Sequence, residues 1–181
     1  MKNIRLRQYI ALQNTLEYDA VLEHLKPKNS FAGRQMDINT MPYANVKYGI
    51  RQLPKVNSWQ GIQQLFEICF GAGAKTFANT RITEYFAARK FMVNEFTRII
   101  ETESRLLASQ STDAHLWKMA GADKLKPYSD TLPLIQLGKL LGQYPFDLGR
   151  KPYGEIFSLL VQTKAQNDVE AEYQKLSRQA P

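Results

Sequence analysis

Histidine and cysteine are nearly absent from this chain, with two His and one Cys in 181 residues. His24, His115 and Cys69 lie far apart and show neither His-x-x-x-His nor Cys-x-x-Cys spacing, so no zinc or redox motif is present. A single cysteine cannot close an internal disulfide, and its neighbours Ile68 and Phe70 mark Cys69 as a buried thiol in a reducing compartment. No apolar run approaches the roughly 18 residues that a membrane span needs; even Leu65 to Phe70 is interrupted by Glu67. The stretch from Met1 to Arg7 lacks the apolar core and small-residue cleavage site of a signal peptide. A protein of the cytoplasm, without a membrane partner, is expected.

Motifs for catalysis are equally scarce. There is no Gly-x-Ser-x-Gly elbow and no cysteine with a protease-like flank. Gly71-Ala72-Gly73-Ala74-Lys75-Thr76 ends in Lys-Thr as a phosphate-binding loop does, but its glycine spacing is wrong and the preceding segment reads as helix, so a hinge between helices is the expectation. Glu101 with Glu103, and Glu170 with Glu172, stand two apart on helical segments and so face different directions, which removes them as acid–base pairs. No cofactor, metal or small-molecule substrate is expected, and the chain reads as a non-enzyme.

Helical periodicity is what the sequence does have. Ile82, Tyr85, Phe86, Val93, Phe96, Ile99, Ile100 and Leu107 trace one face of a long helix from about Thr80 to Ala108. Ser58 caps a core helix carrying Trp59, Ile62, Leu65, Phe66, Cys69 and Phe70, which Gly71 and Gly73 end. Asn14 with Glu17 reads as a capping box before a helix that Pro27 closes, and Pro42 and Pro54 bracket another. Further helices are expected after Asp113, near Thr131 and after Pro152, with Asn167 and Glu170 opening a last polar one. Lys28 to Thr40 and Gly142 to Gly149 read as irregular connections, the first as a contact segment. The expectation is an all-α fold: a single-domain helical bundle of about seven to nine helices around one long central helix. Its globular domain spans residues 1–166, and residues 167–181 form a polar helix or tail available to a partner.

The pattern also holds an internal echo. Pro42-Tyr43-Ala44-Asn45-Val46 and Pro152-Tyr153-Gly154-Glu155-Ile156 share Pro-Tyr at a helix start with a β-branched residue three positions after the tyrosine. Nothing else in the two regions aligns, so a common helix-start device explains it better than duplication.

Lys and Arg outnumber Asp and Glu by 24 to 17, a formal charge of +7. That favours acidic protein surfaces or nucleic acid, although no basic run of five to eight residues occurs. Tyrosines at helix starts and in loops, near Lys or Arg, are the pattern of protein interfaces and, less well, of base-stacking surfaces. On this basis the candidate partner contacts are Arg34, Tyr43, Tyr48 and Arg51 in the first half of the chain. Tyr128, Tyr144, Arg150, Lys151, Tyr153 and Tyr173 complete the set in the second half.

Between residues 60 and 165 the chain resembles small phage-encoded morphogenesis and virion proteins, in the style of tail assembly chaperones and head or tail accessory proteins. The likeness is carried by Phe66-Glu67-Ile68-Cys69-Phe70-Gly71, Glu84-Tyr85-Phe86, Trp117-Lys118-Met119-Ala120-Gly121 and Lys151-Pro152-Tyr153-Gly154-Glu155-Ile156-Phe157. It implies assembly through contacts with other proteins, in the host cytoplasm or in the virion, and brings no catalytic residue with it. The alternative expectation is a nucleic-acid-associated helical protein that uses its basic surface weakly.

Overall fold

The computed structural model describes residues 4–108 and 114–179. It is all-α: ten α-helices and one 3₁₀ helix are present among these residues, and extended pairing is confined to isolated bridges. The helices are α1 (Leu6–Ile10), α2 (Leu16–Leu22), α3 (Tyr43–Gln52), α4 (Trp59–Phe70) and α5 (Ala74–Asn79), followed by α6 (Ile82–Leu107) and α7 (Ala114–Met119). After the 3₁₀ helix at Ala122–Tyr128 come α8 (Leu132–Leu141), α9 (Pro145–Arg150) and α10 (Tyr153–Gln179). The chain groups into two compact units, one formed by Met1–Ile38 and Tyr48–Ile100, the other by Asn39–Lys47 and Glu101–Pro181.

Several boundaries follow the local signals. Ser58 stands in extended conformation before α4 and its Oγ accepts from the Gly61 N–H at 3.2 Å, while Gly71 at φ +63° closes the helix. α6 runs for 26 residues, within two residues of the expected ends. Others differ. The second helix is preceded by Thr15, and Asn14 Oδ1 accepts the Leu16 N–H; the Glu17 side chain and Asp113, each expected to act in a cap, lie outside the described residues. The Gly142 to Gly149 stretch contains α9, opened by Pro145 in the first helical turn, where a missing N–H costs nothing. Asn167 starts no helix: α10 continues through it for 27 residues. No Gly or Pro follows Gly154 within that helix, and side-chain pairs Lys164–Asp168 and Gln166–Glu170, each four apart, span Asn167.

The first unit is built on aromatic packing. Phe31, from the long connection after α2, is fully buried with its ring 4.6 Å from Phe66, 5.7 Å from Phe70 and 6.0 Å from Phe77. Phe66 also stacks on Tyr85 at 5.1 Å. The connection read as a contact segment also supplies the core, with Met36 and Ile38 buried as well as Phe31. Phe31 reaches in through a two-residue turn, in which Phe31 and Arg34 exchange both backbone hydrogen bonds around Ala32 and Gly33 at φ +51° and +74°. Glu84 of α6 accepts the Ala32 N–H at 2.6 Å and holds that turn.

The same unit joins the starts of α1 and α6 through an antiparallel bridge between Arg5 and Arg81, with Leu6 N–H donating to Thr80 O at 2.8 Å and Ile82 N–H to Ile4 O at 3.0 Å. Beside it Tyr9 donates to Asp19 Oδ1 at 2.5 Å and Thr15 donates to Asp19 Oδ2 at 2.7 Å. These two donors hold the Asp19 carboxyl below its ordinary pKa. A depressed carboxylate pKa contributes stability above the unfolded-state value, and that contribution is lost as pH falls through the folded-state value. Tyr9→Phe is expected to move the Asp19 titration upward in a side-chain NMR titration and to flatten this part of the acid limb of stability; an unmoved Asp19 would refute the assignment.

Gly49 of α3 lies where a Cβ would come within 2.5 Å of the Phe96 ring, and Phe96 is itself buried. Gly49→Ala is expected to destabilise by about 1–3 kcal/mol, as overpacking of a closed core does, measured by urea unfolding.

Candidate interaction surface

In the second unit the helix-start device recurs. Pro42 and Pro152 pair in an antiparallel bridge, Tyr43 N–H donates to Lys151 O at 2.9 Å and Tyr153 N–H to Met41 O at 2.7 Å. The Pro-Tyr echo in the sequence is therefore a physical pairing of the starts of α3 and α10. The tyrosine rings stack at 5.9 Å with 14° between their planes. Tyr153 donates to Glu103 Oε1 at 3.0 Å, and Lys47 pairs with Glu103 Oε2 at 2.5 Å while lying 5.5 Å over the Tyr43 ring. Burial, reinforced by the charges of Glu103 and Asp130, raises the Tyr43 pKa far above its ordinary value. Tyr43 and Tyr153 are only 2 % and 4 % exposed, so both serve as internal anchors, and the reading of them as partner contacts is corrected on that ground.

The remaining candidates divide between the units. Arg34, Tyr48 and Arg51 belong to the first; the Arg34 guanidinium donates to Gly71 O, Tyr48 is half-buried and Arg51 is exposed. In the second, Lys151 pairs with Glu155 at 3.3 Å and Arg150 lies 3.6 Å from Asp147. Tyr128, Tyr144 and Tyr173 are exposed. They keep company with apolar residues that the sequence reading did not put forward as contacts.

Tyr144 is presented by a tight link between α8 and α9. Gly142 adopts φ +64°, Gln143 N–H donates back to Gly138 O at 3.0 Å, and a Cβ on Gly138 would meet Gln143 O at 2.7 Å. The chain then turns so that Tyr144 and Phe146, the latter 69 % exposed, lie against each other at 5.4 Å. In α7 the successive Leu116 and Trp117, and then Met119, are all exposed, Trp117 by 61 %, and the 3₁₀ helix adds Leu125 and Tyr128. Leu116 and Met119, three apart, share one helix face, with Trp117 about 100° round from Leu116.

Of the twenty exposed large apolar residues among those described, fourteen belong to the second unit, although the units are nearly equal in length. Charge is divided the other way. The first unit holds thirteen Lys and Arg against seven Asp and Glu, a net +6; the second holds eleven against ten, a net +1. Most of the net positive charge thus belongs to one unit and most of the exposed large apolar residues to the other. Large exposed apolar patches mark interaction surfaces in proteins that otherwise cover them.

No group of three or more His, Cys, Asp or Glu suited to a metal ion gathers among the described residues, and none of their helices is long and apolar enough to cross a membrane. No family model, curated protein or solved structure matches the chain. Cys69 is buried in α4, and burial pushes its thiol pKa up to about 12. A thiol this reluctant to ionise is a poor nucleophile at neutral pH. An aromatic disulfide reagent is expected to leave native Cys69 unmodified and to react fully in denaturant; rapid labelling of the folded protein would contradict its burial.

Proposed function

We propose that the chain is a non-enzymatic structural or assembly protein that works by protein–protein contact, in the setting of phage virion morphogenesis that its sequence motifs resemble. The observation that carries the proposal is the concentration of exposed apolar side chains in the nearly neutral second unit. Trp117, Tyr128, Tyr144 and Phe146 are aromatic anchors of the kind that dominate binding energy when a partner removes them from water. At about 25 cal/mol per Å², each few hundred Å² of such surface covered by a partner is worth several kcal/mol before the costs of association. In this reading the protein acts in the host cytoplasm during assembly or as part of the particle.

The test is co-expression with the products of neighbouring genes and size analysis of the purified protein. A stable complex is expected with the parent chain and loss of it with Trp117→Asp and Phe146→Asp, while far-UV circular dichroism stays unchanged. Repeated absence of any complex would sink the proposal.

A second reading rests on the net +6 of the first unit, where Arg5 and Arg81 stand directly opposite each other in a bridge with both side chains exposed. Like charges so placed are unfavourable, and the Arg5 guanidinium is steadied by donating to Asn79 O. Binding to random DNA that weakens steeply with salt, and weakens further in Arg5→Ala/Arg81→Ala, would favour nucleic-acid association over a purely protein partner.

A further inference from the structure

Two bare apolar strips in the second unit carry opposite charge along their edges. One is the C-terminal half of α10. From Ala165 to Arg178 every residue is exposed, and Val169, Tyr173 and Leu176 recur at spacings of four and three, which aligns them on one helix face. At 3.6 residues per turn, Glu170 and Glu172 fall on the two flanks of that stripe, with Asp168 further round beyond Glu172; Lys175 lies on that same flank 3.8 Å from Glu172, Lys164 pairs with Asp168, and Arg178 falls on the opposite side, so Glu170 is the acid of the edge that these lysines do not pair. The helix thus turns an apolar, acid-edged face outward.

The other strip is α7 with the 3₁₀ helix that packs on it. None of the described side chains from His115 to Ser129 is buried, and Leu116, Trp117, Met119, Leu125 and Tyr128 are exposed. Its charges are Lys118, Lys124 and Lys126 against the single acid Asp123, which pairs with Lys126 at 2.7 Å. Lys118 and Lys124 therefore give this apolar surface a basic edge.

A helical segment of about fifteen residues with no packed face is marginal in water on its own, so the end of α10 gains most from an apolar surface of opposite charge. We infer that the acid-edged stripe of α10 in one copy of this chain docks on the α7 and 3₁₀ surface of a second copy. The inference rests on the reading of the second unit as a docking surface and names one of its partners. Two such contacts can form reciprocally and close a two-fold dimer; where only one forms, a free strip remains at each end of the pair and association continues until a ring closes or a filament grows.

The full-length chain is expected to show a mass in sedimentation velocity that rises with concentration from the monomer to a dimer or a larger assembly. Lys118→Glu/Lys124→Glu and Glu170→Lys/Glu172→Lys each set like charges across the contact, and each should weaken self-association by at least about tenfold while leaving circular dichroism unchanged. An equimolar mixture of the two variants restores opposite charges at every contact, and association should return. A wild-type chain that stays monomeric at all concentrations would overturn the inference, as would association untouched by both reversals or variants that fail to rescue each other. The proposal of hetero-assembly stands apart from these outcomes, because Trp117 and Phe146 are tested there against co-expressed partners.

Discussion

Each of the two units is held internally by the same small backbone device, an antiparallel bridge between the residues that precede two helices. In each case the first helical N–H of one helix donates to the carbonyl two residues before the first helical residue of the other, and the bond is returned. A helix start leaves four N–H groups without intrahelical partners, so the reciprocal pair satisfies one orphan at each end while fixing two helices side by side. The bridged residues occupy the non-hydrogen-bonded position of the pair, where neither N–H crosses the bridge. That is why proline fits at both Pro42 and Pro152, and why their fixed φ suits the helix that follows.

The aromatic layers grow from these ties. In the second unit the tyrosines following the prolines stack on each other and gather Glu103 and Lys47, so both oxygens of the partly buried Glu103 carboxylate have a partner, Tyr153 on one and Lys47 on the other. In the first, Tyr9 and Tyr85, each four residues after a bridged arginine, bring Phe86, Phe66 and Trp59 together at 5 to 6 Å. Their hydroxyls differ in task. Tyr9 serves Asp19, whereas burial pushes the Tyr85 phenol up to about 12.

How much of this was legible in the sequence depended on whether the signal was local. The long helix, the Ser58 cap and the Gly71 stop are decided by residues within a few positions of each other, and they stand where the pattern placed them. The Pro-Tyr echo was visible, but its meaning was a contact across 110 positions that no periodicity encodes. A second echo passed unnoticed: Arg5-Leu6-Arg7-Gln8-Tyr9-Ile10 matches Arg81-Ile82-Thr83-Glu84-Tyr85-Phe86 in its arginine, aliphatic residue, Gln or Glu, tyrosine and apolar residue. The candidate surface was less legible, because the six tyrosines put forward include two internal anchors and the half-buried Tyr48 together with three exposed rings. Exposure of Trp117 or Phe146 reflects what fails to cover them, and that is a property of the tertiary fold.

The order of segments along the chain has a consequence of its own. The units alternate as first, second, first, second, so neither is a continuous stretch of polypeptide. No single cut can release either one whole, and a fragment ending near residue 100 would carry nine residues, Asn39 to Lys47, whose Tyr43 ring and Lys47 ammonium lack Tyr153 and Glu103. During synthesis the same nine residues must wait until Pro152 has been made before their bridge can close. The second unit therefore completes its fold only after the segment around Pro152 has been produced, more than a hundred residues after the nine that pair with it.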